Sequence, residues 1–84
     1  MTIQKAARQL RSHLGLSQQA MANKLEISFA ALRNYETGAV MTPGPRALSR
    51  YMILARQAHL VGIERAFYEA FFLHCGVAPK IVYQ

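Results

Sequence analysis

Only one of the 84 residues is cysteine and none is tryptophan. The single thiol, Cys75, excludes an internal disulfide. Three histidines, His13, His59 and His74, are scattered, with no carboxylate or cysteine set around them at metal-ligand spacing. No metal or other cofactor is expected. A glycine-rich phosphate loop is missing, as is a nucleophile beside a base, so an enzyme is not expected either. No apolar run approaches the roughly 20 residues that cross a bilayer, and no apolar stretch with a small-residue cleavage site follows Lys5 and Arg8. These absences, with the lone cysteine, favour a cytoplasmic, nucleoid-associated protein without membrane contact.

Acid is scarce too. Four acidic residues face ten Lys and Arg, and the net charge is +6. Residues 1–56 hold Lys5, Arg8, Arg11, Lys24, Arg33, Arg46, Arg50 and Arg56 against Glu26 and Glu36, which accounts for all of the excess. Residues 57–84 balance Arg65 and Lys80 with Glu64 and Glu69, and this neutral part is rich in aromatics. A basic segment is the electrostatic footprint of a nucleic-acid binder, although basic residues also serve solubility. At 52% hydrophobic the chain is too apolar for a disordered tail, and its length makes one small domain of thin stability.

The punctuation is helical throughout. Ile3, Ala7, Leu10 and Leu14 recur at the helical period, with Thr2 to cap the start and Gly15 to end a first helix at residues 3–14. Ser17 caps a second at 18–25, with Met21, Ala22 and Leu25 inward. Ser28 caps a third at 29–37, with Leu32 and Tyr35 inward and Gly38 as its stop. Pro45 after Gly44 suits the first position of a fourth at 45–57, whose core side is Leu48, Tyr51, Met52 and Ala55. Leu60, Ile63, Phe67, Ala70, Phe71 and His74 mark a fifth at 61–75, closed by Gly76. The tail after it, with Pro79 and "KIVYQ", reads as an extended arm or a loosely docked end.

Between Leu25 and Ser28 only Glu26 and Ile27 remain, which makes a tight corner between two short helices. Such a pair forms a helix-turn-helix, in which the first helix braces against the DNA backbone and the second enters the major groove. The stretch "LSQQAMANKLEISFAALRNYETG" resembles the Xre-type, phage-repressor-like helix-turn-helix DNA-binding domains, over about residues 3–57. The matches are Gln18 opening the second helix, small Ala22 at the helix crossing, Ile27 plugging the turn, Leu32 in the core and "NYETG" closing the third helix. The resemblance implies an all-α, five-helix, lambda-repressor-like bundle. Glu26 departs from the family, which usually has glycine there because the turn is left-handed; a non-glycine residue costs about 1 kcal/mol in that conformation. The family's pairing of an arginine in the first helix with a glutamate ending the third maps onto Arg11 and Glu36, the alternative being two exposed charges.

The resemblance also places Ser28, Phe29, Ala30, Arg33 and Asn34 on the DNA side. Arg33 can donate two hydrogen bonds to guanine and Asn34 can pair with adenine, while Phe29 and Ala30 can pack on thymine methyls. Phe29 has a rival role, closing the end of its helix in the core. Phosphates fall to Gln18 and Gln19 at a helix N-terminus, to Ser28, and to Thr42 and Arg46 across the groove. Lys24 and Arg50 read as solvated charges.

The fifth helix carries apolar residues on two sides, and Tyr68, Phe72 and Cys75 lie nearly opposite the core stripe. They are the expected interface of a homodimer, unless helix and tail cover both sides within one chain. The organisation is then a DNA-binding core at residues 1–58 and a dimerising helix with tail at 59–84. The expected function is a repressor that occupies a palindromic operator in double-stranded DNA. An antitoxin that neutralises a protein partner through the fifth helix is the rival, and an architectural or recombination module of a phage or mobile element is a third reading.

Overall fold

Helix ends in this chain are written by local chemistry. The computed structural model describes residues 1–75, with side chains through Leu73. Its helices are α1 (Ile3–Leu14), α2 (Gln18–Leu25), α3 (Phe29–Thr37), α4 (Pro45–Gln57) and α5 (Val61–Cys75), and no strand occurs among the described residues. The expected stop at Gly76, the tail and the Cys75 side chain lie outside them.

Three helices start on a hydroxyl. Thr2 Oγ1 accepts from the Lys5 N–H, Ser17 Oγ from Ala20 and Ser28 Oγ from Ala31, each satisfying a donor that the first turn leaves without a partner. Helix α4 instead begins at Pro45, where a missing N–H costs nothing. At the other ends, Gly15 and Gly38 adopt the left-handed conformation that turns the chain away.

The apolar faces converge on one core. Ala6, Ala7 and Leu10 of α1, Met21, Ala22 and Leu25 of α2 and Leu32 of α3 meet Leu48, Tyr51, Met52 and Ala55 of α4. Ile63 and Phe67 complete it from α5, so the first half of the last helix belongs to the same core as the reading unit. Tyr51 and Phe67 stack with ring centroids 4.5 Å apart and planes 6° from parallel, a pairing worth about 0.5–1.5 kcal/mol beyond its buried area. Ala22, fully buried, lets α2 and α3 cross closely; a larger side chain there would force them apart.

Candidate nucleic-acid interface

The corner between α2 and α3 is left-handed at a residue that disfavours it. Glu26 has φ 57° and ψ 42°, and its N–H returns to Asn23 O. The N–H of Ile27 bonds Ala22 O at 3.0 Å, which closes the end of α2, while the Ile27 side chain packs, half-buried, against the core. A further anchor comes from α4. Arg50 Nη1 donates to Leu25 O at 2.8 Å and its Nη2 lies 3.2 Å from Glu26 Oε2. Arg50 was expected to be a solvated charge; instead it clamps the last turn of α2, because α4 packs beside the carbonyls that α2 leaves open. A cation there is also favoured by the helix dipole.

The far end of the reading helix is held from α1. Glu36, only 3% exposed, accepts from Arg11 Nε at 2.8 Å and from Arg11 Nη2 at 3.1 Å. Gln18 Nε2 joins at 3.2 Å to Glu36 Oε1, and Arg8 Nη1 donates to the Glu36 carbonyl. One buried carboxylate thus ties together α1, the first residue of α2 and the end of α3. Sequence reasoning paired Arg11 with Glu36 but missed Arg8, whose partner is a backbone carbonyl and leaves no trace in residue types.

Between these two fixings α3 turns one side outward. Phe29, Ala30 and Arg33 are exposed and Asn34 is half-buried. Phe29 is 39% exposed, so it is not enclosed in the core. Its ring lies under the Arg33 guanidinium, 5.9 Å from ring centroid to carbon, a spacing of four residues that the sequence already offered. Thr37, one turn beyond Arg33, is exposed on the same side and was not among the expected residues.

The expected phosphate contacts are arranged around this face. Gln18 is half-buried with its amide on Glu36, and since Ser17 Oγ takes the Ala20 N–H, the backbone donors that face outward at the start of α2 are those of Gln18 and Gln19. Gln19 is exposed and its amide donates to Asn23 Oδ1 at 3.0 Å. Ser28 is exposed with its hydroxyl oxygen engaged as the cap. Thr42 and Arg46 are exposed in the loop before α4 and in its first turn. A cation in the first turn opposes the helix dipole, so Arg46 gains nothing there from its own helix and is available to an anion. On α5, Tyr68 and Phe72 are exposed, at 41% and 47%, and with Glu69 and Leu73 line a shallow groove.

No described helix is long and apolar enough to cross a membrane, and no group of three potential metal ligands gathers among the described residues. Comparison with curated proteins and with solved structures gives no match. A family model described as "Helix-turn-helix domain" matches residues 6–66. That span runs from α1 into α5, takes in the clamped corner and the outward face of α3, and covers well over half of the chain. The chain therefore belongs to the helix-turn-helix domain family, a class of DNA-binding regulators.

Proposed function

We propose that this protein is a sequence-specific regulator of the Xre type, a repressor that binds a palindromic operator as a homodimer. The observation that carries the reading is the outward face of α3. Phe29, Ala30 and Arg33 project from a helix fixed at both ends, by Arg50 at its entrance and by Arg11 and Gln18 through Glu36 at its exit. A reading helix needs such fixing, because base-edge hydrogen bonds tolerate little error in position. Arg33 and Asn34 are assigned to base edges; Gln18, Gln19, Ser28, Thr42 and Arg46 are assigned to phosphates. Dimerisation is assigned to Tyr68 and Phe72, with Cys75, since a symmetric operator asks for a symmetric protein.

The exposed apolar groove on α5 also supports a second reading, an antitoxin that captures a protein partner there and binds DNA to control its own operon. Selection of bound sequences from a random duplex library by the purified protein, at near-physiological salt, tests the first reading. A palindromic consensus that degrades when Arg33 or Asn34 becomes alanine supports it. Absence of enrichment rejects it.

A further inference from the structure

Arg33 differs from the other arginines around the corner. Arg8 and Arg11 are engaged by Glu36, and Arg50 by Leu25 and Glu26. Arg33 has no ion pair among the described residues; its close neighbour is the Phe29 ring, 5.9 Å away on the same exposed side of α3. An aromatic face attracts the cation without offering an oxygen acceptor, so the guanidinium keeps its fork of N–H donors for another partner. The ring also narrows the positions that a long, flexible side chain samples in the free protein.

In the major groove, guanine presents two acceptors that fit this fork, and thymine presents a C5 methyl that fits an apolar ring. Successive bases lie about 3.4 Å apart along a strand. Two groups separated by 5.9 Å can therefore address neighbouring base pairs together. Resting on the DNA-binding reading above, we propose that Phe29 and Arg33 form one specificity unit that reads a guanine beside a pyrimidine carrying a C5 methyl. The discriminating group is the methyl, so thymine and 5-methylcytosine are accepted, whereas uracil and unmodified cytosine are disfavoured.

The test uses the duplex recovered from the random-library selection. The guanine whose preference is lost with Arg33→Ala is located first. The neighbouring thymine is then replaced by deoxyuridine, which removes only the methyl, and separately by cytosine and by 5-methylcytosine. The wild-type protein should bind the uracil duplex about three- to fivefold more weakly than the thymine duplex, as expected for one lost methyl contact. It should prefer 5-methylcytosine to cytosine by a similar factor. Phe29→Ala should bring both ratios to one, with a circular dichroism melt showing that it folds.

Equal wild-type affinity for thymine and uracil overturns the proposal, as does a consensus with no thymine beside that guanine. In both cases the Arg33-dependent guanine leaves the DNA-binding reading standing. A library with no enriched sequence removes both.

Discussion

Arg11 Nε and Glu36 Oε2 lie 2.8 Å apart, joining the last turn of α1 to the last turn of α3. The carboxylate is almost wholly buried, whereas a quarter of the Arg11 side chain remains in contact with water. Removing one partner of a buried pair strands the other charge, and this penalty exceeds what the pair adds to stability. Arg11→Met should destabilise the fold by about 2–4 kcal/mol, a range shifted down from that of fully buried pairs because Arg11 is partly hydrated. Urea denaturation checks it. The Arg11→Met/Glu36→Leu double variant should lose less than the sum of the single ones.

Glu26 holds a left-handed backbone without being glycine. Its bond to Arg50 does little to offset this, because Glu26 is itself 72% exposed at the side chain and surface ion pairs contribute little. Glu26→Gly should therefore stabilise the protein by about 0.5–1 kcal/mol. In a domain of this size that is a rise of several degrees in Tm, about 4–8 °C per kcal/mol, measurable by differential scanning calorimetry. A fall in Tm would refute the strain argument.

Tyr51 is fully buried, and its hydroxyl has no hydrogen-bond partner among the described residues. Burial, aided by the negative charge of Glu36, pushes its ionisation well above the ordinary tyrosine range. In the unfolded chain it ionises near pH 10. As pH rises past that point the unfolded state sheds a proton that the folded state keeps, so stability falls. Tyr51→Phe should remove this share of the alkaline loss and, near neutrality, be neutral or stabilising by up to about 1 kcal/mol. Thermal melts of both proteins between pH 7 and pH 11 would show the curves diverging above about pH 10.

Phe72 lies in the exposed groove of α5, away from the buried Ile63 and Phe67. Phe72→Glu places a charge in the face proposed above for dimerisation, at little expense to the monomer. On the proposed homodimer, sedimentation equilibrium should show a dimer for the wild-type protein and a monomer for the variant, with an unchanged far-ultraviolet spectrum. A variant that stays dimeric would move the interface elsewhere.

The helices were legible because their ends are local. Thr2, Ser17 and Ser28 cap through neighbours three residues on, and Gly15, Gly38 and Pro45 act through their own backbone. The core stripes followed from periodicity, down to Ala22 and Leu32. Glu36 was legible as a partner of Arg11 only through family resemblance, since twenty-five positions separate them. Arg50 was misread because its acceptor is the Leu25 carbonyl. Every residue has a carbonyl, so no residue type announces which one a distant helix will approach. The nearness of Arg33 to Phe29 could have been read from their spacing, whereas the burial of Gln18 against Glu36 required the packed bundle.

The clamp from Arg50 has a consequence for how the reading unit can be handled. The turn closes on bonds of its own, from the Glu26 and Ile27 N–H groups back into α2, but it is also held from a helix that lies later in the chain, through the bond of Arg50 to Leu25 O. A fragment of α2 and α3 alone would carry every residue assigned to base edges and still present them at no defined angle. A substitution in α4 that removes this hold, Arg50→Ala, should therefore weaken binding from a position that never approaches DNA.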